Sequence, residues 1–435
     1  MKPVMRSATR CRRRIATWLL LAAVLPVLQA AVAAEPTPRT LPGITADDWP
    51  WWRGPAHDGH AAAGESPPLE WSDNLSVRWS VPVPGRGSSS PTVVGERVYL
   101  TTCDEAAGSQ SVLAFDRGSG AALWTKLVHE SGAMRKNERS TGASGSVTCD
   151  GERLFVAFPT SGAVFVTALS LAVEEVWRTR LCDYQIHQGY GASPLLHGDT
   201  VIVVADHKGG GTVAALDRRT GTIVWKQPRP PVPNYSSPVV YRLFGREQLI
   251  LIGCDKVASH DPATGAVLWE REGATTECVT TPVTDGERIF TSGGYPRNHV
   301  SAVRADGSAR IEWENDQRDY VPSMLVREGH LYAVLDAGVA VCWESATGVQ
   351  KWKQRLGGNF SASPVLVGDR ILATSESGET HVFLARPERF ESLAVNKLGD
   401  EAFATPAVCG DRIYLRVASG TGADRRERLV CVAAP

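Results

Sequence analysis

The chain has 435 residues, 43% hydrophobic and 21% charged, which is enough apolar content to bury a large core and excludes a disordered polypeptide. Its 46 Lys and Arg nearly balance 47 Asp and Glu, but six of the basic residues and no acidic one fall in residues 1–34, leaving −7 on the remainder. A net acidic body excludes a reader of the nucleic-acid phosphate backbone and suits a soluble monomer.

Residues 1–34 read as an export signal. Basic residues from Arg10 to Arg14 precede an apolar run from Ile15 to Leu28, and the small residues Ala30 to Ala34 lead to Glu35. The run is shorter than the ~20 residues of a membrane helix and is broken by Pro26. The expectation is therefore an exported protein, periplasmic or extracellular, with no transmembrane anchor after cleavage. Cys11 precedes the run, so no lipid-attachment site is visible. Among the eight later cysteines none is adjacent to another and no C-x-x-C occurs. Several lie in β-patterned runs, as small buried hydrophobes do, and disulfide pairing stays open.

Residues 35–75 form an N-terminal extension, followed at 76–435 by a single repeat domain. A hydroxyl residue followed by Pro or an apolar residue recurs at Ser90, Ser146, Ser193, Ser237, Thr281, Ser323, Ser363 and Thr405, at intervals of 40 to 56 residues. A Gly turn and an alternating run such as RVYLTT or TVIVVA follow each copy. Next come a third run ending in D-x-x-T-G and a fourth carrying Trp, as in DRRTGTIVW from Asp217 to Trp225. Four short antiparallel strands per unit, repeated eight times, predict an all-β, eight-bladed propeller. The last unit has room for only three strands, whereas Ser76 to Val83 (SVRWSVPV) precedes the first hydroxyl. That N-terminal strand is expected to complete the last blade and close the ring.

The D-x-x-T-G-x-x-x-W signature with Ser-Pro-led first strands resembles the quinoprotein-type (PQQ-like) repeat, shared by quinoprotein alcohol dehydrogenases and by BamB-like outer-membrane assembly factors. The opening DWPWWRGPAHDG, Asp48 to Gly59, resembles the start of many secreted bacterial propellers with this repeat. The resemblance implies that Trp79, Trp124, Trp177, Trp225, Trp269, Trp313 and Trp352 pack between blades, a structural duty. In the quinoprotein dehydrogenases it also implies a quinone over the axis, adjacent cysteines, a Trp platform, a calcium ion and a catalytic Asp. This chain has no Cys-Cys pair and no calcium-loop pattern. No catalytic residue, no metal site and no cofactor is therefore expected, with pyrroloquinoline quinone as the alternative.

The first-to-second and third-to-fourth connections are short, which predicts one plain rim. The opposite rim carries longer polar and aromatic connections, the usual place for binding on a rigid scaffold. From these come the candidate ligand- or partner-binding residues Tyr184, His187, Tyr190, Tyr235, Tyr295, Arg297, His299, Arg318 and Tyr320. The functional expectation is a non-catalytic binding scaffold for an envelope protein or a small-molecule or carbohydrate ligand. The alternatives are a quinoprotein-like oxidoreductase, a carbohydrate-active enzyme at the central funnel, and a BamB-like assembly factor.

Overall fold

A computed structural model describes residues 41–130, 137 and 139–434; the expected signal segment and its cleavage site lie outside them. Among the described residues, the alternating runs form 32 strands in eight four-stranded antiparallel sheets. Blades 1 to 7 span Thr92–Glu130, Thr148–Asp183, Leu195–Pro228, Val239–Glu272, Val283–Asn315, Leu325–Arg355 and Val365–Lys397. Within each, the strands lie side by side in chain order. Blade 8 takes three strands from Ala407–Ala433 and its fourth from Val77–Val83, with Trp79 opposite Cys431. The predicted ring closure is therefore present. The closing strand starts one residue later than expected, because Ser76 takes a positive φ of 59° that ends extended backbone. No helix is long and apolar enough to cross a membrane among the described residues.

Burial follows from the stacking of sheets. In blade 3 the second strand, Thr200–Ala205, is buried on both faces, whereas Trp225 is the only buried residue of the fourth strand. Seven of the eight described cysteines are buried. Burial pushes the Cys149 thiol up to about 12, so it serves the core as a small hydrophobe.

Two repeated devices join neighbouring blades. The first uses the hydroxyl that leads each first strand. Ser90, Ser146 and Ser193 each donate a backbone N–H to the Oγ of the equivalent residue one blade on, at 3.0, 3.0 and 2.9 Å. Thr281, Ser323 and Ser363 do the same at 2.9 Å. A hydroxyl is needed there because it accepts an amide that would otherwise be buried without a partner. The series stops at two hydroxyls: Thr281 Oγ1 accepts the Trp52 indole instead, and Ser90 Oγ has no partner among the described residues.

The second device pairs four of the fourth-strand Trp residues with the Thr-Gly or Ser-Gly turn of the following blade. Asp217 Oδ1 builds such a turn by accepting the Arg219 and Thr220 amides, both at 2.9 Å. The Trp177 indole N–H then donates to Arg218 O at 3.0 Å, and a Cβ on Gly221 would lie 2.6 Å from its ring. Trp79, Trp225 and Trp313 bond the turns around Gly120, Gly265 and Gly348 in the same way. Glycine is thus required twice, for its positive φ and for the indole above it. Blades 2, 5 and 7 lack the Thr-Gly or Ser-Gly turn: Trp124 stays half-buried against Tyr99, Trp269 donates within its own blade to Gln248, and Trp352 still bonds Arg386 O of blade 7 at 2.7 Å.

The extension is a plug across the axis. Asp48 Oδ1 accepts the Gly95 amide, Trp49 pairs with Val93, and Pro50 O accepts the Cys149 amide, tying it to blades 1 and 2. Arg53 is fully buried and donates to Met324 O and Pro364 O at the entries to blades 6 and 7. Gly59 and Ala61 pair with Leu366, and Glu65 reaches the Gly410 amide of blade 8. These contacts concentrate on inner strands and their exit turns, so the plug closes the axis from the plain-rim end.

Candidate functional site

The other end of the axis opens into a funnel of about 640 Å³. Every one of the eight crossovers between blades contributes to its wall, from Ser88 and Arg139 round to Ser361 and Thr405. Gly294 and Tyr295 add the second-to-third-strand loop of blade 5. The plug supplies Trp52, held by its indole N–H donating to Thr281 Oγ1 at 2.8 Å. Hydroxyls of the blade-joining series, Ser193, Ser237, Ser363 and Thr405, also face the cavity.

Six of the nine candidate residues come together in this wall: His187, Tyr190, Tyr235, Tyr295, Arg318 and Tyr320. Glu277 organises one side. It accepts the Tyr320 hydroxyl at 3.0 Å and lies 3.6 Å from His187 Nε2, and its backbone bridges Tyr295. Arg318 donates to Gly294 O at 2.9 Å and lies over the Tyr320 ring, 5.2 Å from its centroid. The Tyr235 hydroxyl, close to the Gln188 backbone, completes no hydrogen bond of good geometry. Burial, and then the Glu277 charge, pushes the Tyr235 and Tyr320 hydroxyls well above their ordinary value, so both remain donors. Tyr295 stands at the mouth with 55% of its surface exposed.

The other three candidates lie elsewhere. Tyr184 is a core residue whose hydroxyl donates to Gly189 O at 3.0 Å and whose ring meets Tyr190 edge-on. Its register in the crossover turns it into the apolar cluster between blades 2 and 3. Arg297 and His299 line a separate cavity of about 510 Å³ with Glu272 and Asp316. His299 is buried there beside Thr291, and burial followed by the Arg297 charge lowers its imidazole to about 4.

Sequence reasoning missed Trp52, Asn137, Arg139, Gln188 and Phe403 as funnel residues. The usable signal was position: crossover residues just before each strand-leading hydroxyl converge on the axis. The third Trp of DWPWWRGPAHDG had no such marker, because the extension carries no repeat.

A quinone with its calcium is a poor match to this donor set. Calcium takes six to eight oxygens, and no three His, Cys, Asp or Glu side chains converge among the described residues. Arg139 is engaged with Glu376 and Arg318 with Gly294 O. The cysteines are distributed singly around the ring, so no adjacent pair borders the funnel.

Fold and site define a PQQ-like repeat propeller with one plugged end and one open funnel. The family model described as outer membrane protein assembly factor BamB matches residues 71–167, 108–354 and 321–387, and the chain belongs to that family. It is 26% identical over 361 residues to the outer membrane protein assembly factor BamB of Bordetella pertussis, covering 78% of this chain and 83% of that protein. The BamB structure from Moraxella catarrhalis superposes with a TM-score of 0.58 at 15% identity, over 81% of this chain and 96% of that one. Quinohemoprotein alcohol dehydrogenase from Comamonas testosteroni gives 0.64 at 13% identity, over 89% and 81% of the two chains. These two likenesses show the fold alone.

Proposed function

We propose that the protein is an exported, non-catalytic scaffold of the cell envelope that holds a partner at its funnel end, as an assembly factor of the BamB kind would. The observation that carries this reading is the convergence of all eight crossovers, with Tyr and Arg side chains, on one open cavity while the plug occupies the opposite end. Aromatic and Arg groups give large contact area with polar handles, the composition of binding hot spots. Binding is favoured over hydrolysis of a glycosidic bond because Glu277 is the one carboxylate among the described lining residues, and that reaction ordinarily needs two.

The test is affinity capture from envelope extract with the full chain. Replacing His187, Tyr295 and Arg318 together by Ala should abolish recovery of the partner. Replacing the exposed plain-rim residues Arg219, Arg310 and Glu328 should leave it intact. Equal loss from both sets, or loss from the plain-rim set alone, contradicts the reading.

A further inference from the structure

We infer that the funnel is a binding site for a neutral saccharide, a short chain of hexose or N-acetylhexosamine rings. This rests on the reading of the funnel as the binding end and names the ligand class it takes.

Size and charge narrow the ligand first. A volume of about 640 Å³ lies within the ~300–1,000 Å³ of small-molecule sites and exceeds what one flat ring needs. The charged groups of the wall are largely matched internally. Arg139 faces Glu376 at 3.5 Å, Glu277 has Tyr320 and His187, and Arg318 is held by a carbonyl and an aromatic face. Beyond the Arg139–Glu376 pair, the wall keeps one charge of each sign, Arg318 and Glu277, so a strongly charged ligand would meet little net field to offset its desolvation. A neutral one meets no such penalty.

The walls then select the kind of neutral ligand. Trp52 from the plug, Tyr235 and Tyr320 from the walls and Tyr295 at the mouth are aromatic rings of the lining. A pyranose has an apolar C–H face that packs on such rings and a rim of hydroxyls that demands hydrogen bonds at its edge. The funnel supplies that edge chemistry. Tyr235 is more than nine-tenths buried, with a hydroxyl that completes no good hydrogen bond among the described residues. Glu277 uses Oε2 for Tyr320 and keeps Oε1 toward the imidazole of His187, where a sugar hydroxyl could donate. A buried hydroxyl left without a partner costs roughly 1–3 kcal/mol, so a ligand that satisfies Tyr235 recovers an energy already missing. A purely apolar ligand would leave it unmet.

The experiment titrates the intact protein with cellobiose, maltose, lactose, N,N′-diacetylchitobiose and their tetrasaccharides, read by calorimetry and by tryptophan fluorescence. At least one series should bind, with the tetrasaccharide tighter than its disaccharide. Tyr235→Phe, which removes one hydroxyl, should weaken binding about three- to tenfold, and Glu277→Gln about tenfold or more. Arg310→Ala on the plain rim should leave it unchanged, and thermal melts of each variant separate lost binding from lost fold. Dissociation constants above ~10 mM for every probe, or affinities that ignore Tyr235→Phe and Glu277→Gln, overturn the assignment. Tighter binding of a charged small molecule overturns it too. If saccharides fail while envelope capture still depends on His187, Tyr295 and Arg318, the ligand class falls and the scaffold reading stands. If saccharides bind and capture ignores the funnel, the scaffold reading falls instead.

Discussion

At the scale of single residues, the most informative pair is Trp225 and Gly265. The indole N–H donates to Pro262 O at 3.0 Å, and a Cβ on Gly265, at φ +73°, would lie 2.5 Å from the ring. Trp225→Ala should cost ~3–5 kcal/mol of stability. Gly265→Ala should cost more than ~1 kcal/mol, because it adds a clash to an unfavourable φ. With the indole gone only the φ penalty remains, so urea melts of the double variant should show less than the sum of the two; additive losses would contradict the packing described. Protonation supplies a second residue-scale prediction. Burial, with the Arg178 charge second, lowers His129 to about 4, and burial with Arg297 does the same to His299. The unfolded chain takes up these protons near ~6.5 and the folded chain resists until about 4, so stability present above ~6.5 is lost as pH falls through that window. Melting temperatures should decline between pH 6.5 and pH 4, and His299→Gln should flatten the decline; an unchanged slope would exclude His299 as a contributor.

At the scale of elements, the closing strand and the plug carry different amounts of sequence signal. Strand Val77–Val83 was legible because it bears the Trp of the repeat while the last unit lacks a fourth strand. Deleting residues 72–84 should expose the whole edge of Arg426–Ala433, now paired from Val77 to Val83, and drive aggregation visible by size-exclusion chromatography. A monomer that melts like the full chain would show that the ring does not need its clasp. The plug was not legible in this way. Asp48, Trp49 and Arg53 are almost completely buried, yet their partners include amides and carbonyls at blades 1, 6 and 7, and no local periodicity announces such long-range contacts. The strand-leading hydroxyls fall between these cases. Their recurrence was plain, but their duty, accepting an amide across each blade boundary, depends on how neighbouring sheets stack.

At the scale of the whole molecule, repetition made the architecture readable and blurred the site. Eight similar units state the blade count and the short turns of the plain rim, since those are local turn chemistry. The funnel depends on which crossover residue faces the axis, a matter of register that divides near neighbours: Tyr184 and Tyr190 share one core cluster but only Tyr190 borders the cavity, and Tyr295 reaches the mouth while Arg297 serves another cavity. The plug then gives the ring its polarity, closing one end and presenting Trp52 to the other. The central claim is that binding is confined to the funnel end, and the most direct measurement is site-specific photocrosslinking in intact cells. A photoreactive residue at Tyr295 or Phe403 should give discrete adducts with an envelope component, whereas one at Arg219 or Glu328 should give none. Adducts from the plain-rim positions, with Tyr295 and Phe403 silent, would contradict the account.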